Sequence, residues 1–383
     1  MSSLKTSVVF STTFLFLIFG FSLISANAQC VAPPSGMTNW WPADGNAFDI
    51  IGGEHGTLQN NAGFATGEVG QAFSLDGANG FVMVPNDPAA AFNFTGSFSV
   101  DAWVFLDSAP PEFAPIVSKW NDIPLGNNNR GYFFAIDRNI LGDGVPRLRI
   151  DVSGDGLFLG GHSSIRLSSI TFPTNAWTHV AAVFNPATNP KSLDLYIDGQ
   201  LRNGAFQISP TVSAPFVNNE PLLIGASDAG SNVRDFFDGR IDEVELFNRA
   251  LTSAEVTSIF NAGSAGKVAP IVIDIKPGSF PNSINLGSKG NVPVAVLGTE
   301  TFDATTLDLA SLSFAGAPVI TKKNGTFQAS FEDVNNDGRL DLVLHFDTQK
   351  LALTSSSTEA TLTGSTIGGR CVSGTDSVNI VPH

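Results

Sequence analysis

The sequence predicts an all-β chain built as two consecutive sandwiches. Three observations carry this. With 38 glycines and 22 prolines, the 383 residues break into short runs bounded by turn residues; the runs alternate apolar and polar side chains with period two; and a single segment has helical spacing. Removing an amino-terminal leader leaves about 355 residues, the length of two domains on the usual size range.

The leader is residues 1–28. Lys5 supplies one positive charge, Val8 to Ile24 is an apolar run rich in Phe and Leu, and Ala26-Asn27-Ala28 is a small-x-small cleavage site, so the mature chain begins at Gln29 and is secreted. An uncleaved membrane anchor is the competing reading, since the run is near spanning length. A lipid-modified Cys30 is rejected, because Gln29 stands where a small residue is required. Losing Lys5 takes the formal net charge from -15 to -16, as residues 1–28 hold no acid. Such a surface disfavours nucleic acid and anionic lipid and suits divalent cations. Cys30 and Cys371 both lie in the exported part. They either pair, joining the two ends of the chain, or remain two free thiols.

From residue 36 onward the strand-like runs include FSVDAWVFL (98–106), THVAAVFN (178–185), SLDLYIDGQL (192–201) and FDGRIDEVELF (237–247). In the first of these both faces are largely apolar, as expected for a central strand whose outer face is partly covered. The helical exception is 249–263. Thr252 and Glu255 form a capping box, Leu251, Val256, Ile259 and Phe260 share a face, and Gly263 stops the helix. SAGKVAP (264–270) reads as a linker, and a second β-rich block runs over 271–382.

GMTNWWPADGNAFDIIGGEHGTL (36–58), QAFSLDGANGFVMVP (71–85), SFSVDAWVFL, NAWTHVAAVFN, LDLYIDGQL, LLIGAS (222–227) and FFDGRIDEVELFNRALTSAEV (236–256) together resemble the LamG-like jelly-roll family. The resemblance spans about 225 residues in order. It implies the two-sheet concanavalin A-like lectin and glucanase fold over 36–263, in a secreted module that engages glycans or other extracellular ligands. Among candidate sugar-stacking rings, Trp40, Trp41, Trp103 and Trp177 sit inside alternating apolar runs and read as core. Trp120 stands where a strand gives way to an Asn-rich loop, and is expected to be the exposed, ligand-binding aromatic.

The same fold hosts glycosidases, so catalysis has to be tested on residues. Retaining enzymes need two carboxylates about 5 Å apart. In GRIDEVELF (239–247) strand alternation puts Arg240, Asp242 and Val244 on one face and Ile241, Glu243 and Glu245 on the other. Asp242 therefore lacks acidic neighbours on its face, and the pair Glu243 and Glu245 reads more simply as an exposed polar face. No His pairs with another His or a Cys at metal spacing, and no nucleophile elbow or phosphate loop is present. The chain reads as a binding protein, not an enzyme.

The second block holds the sharpest motif, FEDVNNDGRLDLVLHF (331–346). Counting from Asp333, the residues Asp333, Asn335 and Asp337, the Arg339 carbonyl and Asp341 take the first five ligand positions of a calcium loop, with Gly338 at the sharp turn. The twelfth position, where a bidentate acid belongs, is Leu344. Strand-like flanks make this a hairpin-borne loop similar to those of integrin-like propeller repeats, the missing ligand coming from Glu332, a neighbouring loop or water. A solvated turn with scattered acids is the alternative. Sites of this class bind calcium at about 0.1 to 1 mM, which suits a structural clip. The block also resembles a β-sandwich module recurrent at the C-termini of exported bacterial proteins, which implies location and little else. A second calcium held by Asp44, Asp49 or Asp242 is a further expectation, these being equally good turn residues. Asn93 and Asn324 form sequons.

The combined expectation is a secreted, non-catalytic protein: a jelly roll engaging an extracellular ligand, expected to be carbohydrate, followed by a calcium-stiffened sandwich. A structural or adhesive surface protein with protein partners is the alternative, and a glycoside hydrolase the third reading.

Overall fold

The computed structural model describes residues 29–87, 89–121, 129–158, 161–208, 211–228 and 233–382. The leader predicted over 1–28 lies outside the described residues. Among those described, no helix is long and apolar enough to cross a membrane.

The chain is all-β, as expected, and its first part is two eight-stranded antiparallel sheets. One runs in the order Gln200–Leu201, Ser192–Ile197, Trp177–Asn185, Phe98–Leu106, Asp238–Phe247, Gln71–Asp76, Gly63–Thr66, with Met37–Trp41 also paired to Asp238–Phe247. The other runs Asn203–Ile208, Ser163–Ser168, Arg147–Gly156, Asn129–Asp137, Phe113–Asn121, Leu222–Ile224, Phe81–Val84, Thr57–Gln59. Their facing sides close one core. From the first sheet come Phe98, Val100, Ala102, Val104 and Leu106, the alternate set read from the sequence, and from the second Phe134, Ile136, Leu148, Ile150 and Val152. Close strand approach is enforced at Gly239, where a β-carbon would lie 2.1 Å from the Phe105 carbonyl oxygen.

The outer faces of the two sheets are treated differently. Over the first lies the one α-helix among the described residues, Ser253–Ala262, with the predicted capping box between Thr252 and Glu255 and its end at Gly263. Val256 and Ile259 pack with Ala181, Val183, Tyr196 and Phe247, and the Phe260 ring stands 5.9 Å from that of Trp103. This cover explains why both faces of FSVDAWVFL are apolar. Among the described residues, no helix lies on the outer face of the second sheet.

The second part is a smaller sandwich with its own core, formed by residues such as Ile275, Val294, Phe314, Leu344, Phe346 and Leu362. One sheet is ordered Ala269–Pro270, Cys371–Ser377, Glu359–Ser365, Ser313–Phe314, Ala317–Pro318; the other is Ile273–Ile275, Asn291–Val296, Asp341–Asp347, Ala329–Glu332. Within 264–270, Ala269–Pro270 is a strand of this sandwich and Lys267 bridges to Val31. Cys30 and Cys371 form a disulfide with Cα atoms 6.3 Å apart, across 341 residues of sequence.

Candidate functional site

The acids of strand Asp238–Phe247 are not an exposed polar face. The strand carries a bulge between Asp242 and Glu245, with Glu243 at φ 52°, so two-residue alternation fails there. Val244 and Leu246 point into the core, while Asp242, Glu243 and Glu245 are fully buried. What covers them comes from the far end of the chain. Lys267 Nζ lies 2.6 Å from Glu245 Oε1 and 3.5 Å from Glu243 Oε2; Arg370 donates from Nη2 to Glu243 at 2.7 Å and from Nε to Asp44 at 2.6 Å. Both cations lie over the Trp40 ring, at 5.7 and 5.5 Å. Asp101 and His179 complete the cluster, His179 Nε2 standing 2.9 Å from Asp101 Oδ2. Burial pushes the Glu245 carboxyl well up, against the attraction of Lys267, and burial together with Glu243 does the same to Asp242. Burial alone would lower Lys267 and Arg370, but the surrounding carboxylates outweigh it and keep both charged. The cluster is the joint between the two sandwiches.

The acids considered for a second calcium do not converge. Asp49 is buried and accepts N–H bonds from Trp40 at 2.8 Å and from Ile51 and Gly52 at 3.0 Å, with a further bond from the Asn39 amide. Asp44 is held by Arg370 and by the N–H of Gln71, and Asp242 accepts from Val69 N–H at 2.9 Å. Asp49 thus organises a turn, and the other two serve the joint.

The loop 333–340 is the tip of the hairpin between Ala329–Glu332 and Asp341–Asp347. Asp333 accepts from the N–H groups of Asp337 and Gly338 at 3.1 and 3.0 Å, Asn335 donates to Asp337 at 3.0 Å, and Asp337 accepts from Arg339 N–H at 2.8 Å. Gly338 turns the chain at φ 85°. Asp341 is buried and accepts from Val334 and Gly298 N–H, both at 2.8 Å. Leu344, at the position where a twelfth-residue acid would stand, is in the core, and the Glu332 carboxylate accepts from Ser330 Oγ. Among the described residues no three His, Cys, Asp or Glu side chains are grouped as a metal site. The donors of 333–341 are nonetheless all hard oxygens. Each carboxylate has about four lone-pair sites, of which these hydrogen bonds occupy two.

Trp120 is not the exposed aromatic that its place beside an Asn-rich loop suggested. It is 6% exposed, because its strand, Phe113–Asn121, is central in its sheet and neighbouring side chains flank the ring. It lies on the outer face of the second sheet, where it lines a cavity of about 390 Å³. Phe133 and Phe158 stand 5.9 Å from it, the latter edge-on at 85°. Phe158 and Ile140 form exposed parts of the rim. The floor holds Arg149, whose guanidinium is 5.3 Å from the Phe113 ring centre. It donates to both oxygens of Asp151, at 2.7 and 2.5 Å, and to Asp137 at 2.5 Å. Burial raises the Asp151 carboxyl, with Arg149 opposing. One wall carries Ser227, Asp228, Arg234 and Asp235. A second cavity of about 630 Å³ lies at the joint, among Asp44, Gln71, Phe302, Ile367 and Arg370, and lacks such an aromatic floor.

The sequence does not single out Phe133, Phe158, Arg149, Asp151 or the wall residues Ser227, Asp228, Arg234 and Asp235. A signal was present: RLRIDVS (147–153) puts Leu148, Ile150 and Val152 on one face and Arg149 and Asp151 on the other, so a strand in mid-sheet carries charge outward. Of the rims, no sequence pattern brings Ser227, Asp228, Arg234 and Asp235 beside Phe113 and Trp120.

Residues 76–257 match the Concanavalin A-like lectin/glucanases superfamily. Similar solved structures include domain 4 of an extracellular arabinanase of Geobacillus stearothermophilus in complex with arabinotriose, at 18% identity over 58% of this chain and 96% of that one, TM-score 0.42. The binding domain of a paraclostridial mosquitocidal protein matches at 12% identity over 86% and 83%, TM-score 0.43. A putative carbohydrate-binding protein of Bacteroides ovatus matches at 17% over 49% and 46%, TM-score 0.37. No curated protein matches the sequence.

Proposed function

Residues 76–257 being a concanavalin A-like domain, a fold shared by glycosidases and binding modules alike, we propose that this chain is a secreted, non-catalytic glycan-binding protein. Its ligand sits in the Trp120 cavity. The observation that carries this reading is the pairing of aromatic lining with fixed polar groups: Trp120, Phe133 and Phe158, the last an exposed ring, line the same space as Arg149, Asp151 and Asp235. That is the composition of a small-ligand site, and the volume falls in the usual range of about 300–1,000 Å³. Against catalysis stands the fate of Glu243 and Glu245, which are buried beneath Lys267 and Arg370 where no glycosidic bond can reach them. Export is supported by the leader pattern of residues 1–28 and by the Cys30–Cys371 disulfide.

The reading includes a calcium ion at the hairpin tip, held by Asp333, Asn335, Asp337, the Arg339 carbonyl and Asp341 through the lone pairs that the backbone N–H groups leave free. Its role there is to stiffen the second sandwich. A glycan array probed with and without calcium tests the whole. Binding that is lost in Phe158→Ala and Trp120→Ala, with thermal unfolding checked for each, supports the cavity. An array without hits, or hits indifferent to both variants, removes it. Release of reducing ends abolished by Glu243→Gln or Glu245→Gln would instead establish a glycosidase. A protein-binding surface role is favoured by Phe280 and Ile367 of the second sandwich, 90% and 78% exposed.

A further inference from the structure

The charges around the Trp120 cavity are arranged in a way that bears on which glycans it can take. Arg149 lies between Asp137 and Asp151, with three of its N–H groups already donated to those carboxylates. Arg234 repeats the pattern on the wall: its Nε meets Asp228 and lies 3.6 Å from Asp235. A third arginine, Arg130, stands 5.9 Å from the ring centres of both Trp120 and Phe158 and donates to the Gly156 carbonyl at 3.4 Å. With Glu112 on the rim, the described residues around the cavity supply five carboxylates (Glu112, Asp137, Asp151, Asp228, Asp235) against three guanidinium groups (Arg130, Arg149, Arg234), a formal balance of -2. Every arginine at the floor or wall is thus held by acids before any ligand arrives.

We propose that this cavity takes uncharged, hydroxyl-donating sugar rings and repels acidic ones, such as uronate, sialyl or sulfated residues; the inference rests on the glycan-binding reading given above. Ionised carboxylates only accept hydrogen bonds, so the walls reward a ligand rich in O–H donors. An anionic group brought within about 6 Å of this balance meets net repulsion that the nearby low-dielectric walls of Trp120, Phe133 and Phe158 do not screen. An anion would also have to take Arg149 from two aspartates that it binds at 2.5 to 2.7 Å. Apolar contact with the aromatic lining, led by the exposed Phe158 ring, is indifferent to charge on the sugar and gives the common affinity on which the selection acts.

The test uses the full mature chain and matched oligosaccharides, each neutral backbone being compared with the same backbone carrying a carboxylate or sulfate, by calorimetry at low and high salt. At low salt the acidic member should bind about tenfold more weakly or worse, and the gap should narrow at about 1 M salt, where the screening length falls to about 3 Å. Asp235→Asn and Glu112→Gln should each reduce the neutral-to-acidic affinity ratio by about three- to tenfold. Asp235 sits at φ 55°, a conformation that Asn also tolerates, so that swap removes charge while keeping the turn. Acidic glycans binding as well as neutral ones, or binding that weakens with added salt, would overturn the inference and leave glycan binding standing. Failure of every glycan in both classes would remove the glycan-binding reading, and this inference with it.

Discussion

Replacing Lys267 by Met should destabilise the protein strongly, and in a way that depends on pH. The side chain is 1% exposed, and its Nζ is the closest countercharge to Glu245 at 2.6 Å, with Glu243 at 3.5 Å. Methionine keeps most of the volume over Trp40 and removes the charge. Breaking one side of a buried ion pair costs about 3–5 kcal/mol, because the partner is left charged in a dry site. For a chain of this size that corresponds to a drop in Tm of about 6–10 °C, at about 2 °C per kcal/mol. The stranded carboxylate can escape by taking up a proton. Burial already pushes Glu245 above its ordinary value, and a carboxyl raised on folding contributes stability that is complete below about pH 4.5 and lost as pH rises through the raised value. The Lys267→Met penalty should therefore be smaller at pH 5 than at pH 8, and Lys267→Met combined with Glu245→Gln should recover most of it. Thermal and urea unfolding of the wild type, both single variants and the double variant give the coupling directly. A single variant within about 0.5 kcal/mol of wild type at pH 8, or a double variant no better than Lys267→Met, would show that the joint is not held by this charge pair.

Three further outcomes follow from the same structure. Millimolar calcium should raise the Tm relative to chelator by the equivalent of about 1–2 kcal/mol, and Asp337→Ala should abolish the rise; equal melting with and without calcium in the parent refutes the site. Cys30→Ser should lower stability by about 2–4 kcal/mol, since the disulfide joins residues 341 apart in sequence; a non-reducing gel or intact mass showing two free thiols in the purified protein would contradict it. Glu255, drawn down to about 2 by Arg249 and the cap at Thr252, should contribute stability that is present above about pH 4.5 and lost as pH falls toward 2. Because this pair is largely exposed, Glu255→Gln should shift the acid limb only slightly, and a large shift would mean the cap is more buried than the structure has it.

How far the sequence could be read depends on whether a feature is local. The helix at Ser253–Ala262, its capping box and its stop at Gly263 are set by neighbouring residues, and they stand where the spacing put them. The inward face of Phe98–Leu106 follows from two-residue alternation, which holds through an unbroken ladder. At Asp242–Glu245 the same rule fails, because a one-residue bulge is a property of the pairing with Phe98–Leu106 and leaves no mark in the spacing. Trp120 was misplaced for a related reason. Its exposure is decided by Phe133 and Phe158, residues of other strands and loops that come near it only in the folded sheet.

The contrast between the two outer faces explains why the acids of Asp238–Phe247, expected from the sequence to form an exposed polar face, are buried. On the first sheet, the face bearing Asp101, Asp242, Glu243 and Glu245 is closed by the helix on one side and by Lys267 and Arg370 on the other. Acids that would be costly alone are there compensated by two cations brought from residues 267 and 370, and the disulfide at residue 371 sits beside the second of them. On the second sheet, no helix among the described residues lies over the face around Trp120, and the buried cation there, Arg149, is neutralised within its own and the adjacent strand. A face whose charges are balanced internally can stay open to a ligand, whereas a face whose balance is imported from the rest of the chain must stay shut. The carboxylates of Asp238–Phe247 accordingly belong to assembly of the two sandwiches, and recognition, under the proposed function, falls to the sheet that draws none of these countercharges from the second sandwich.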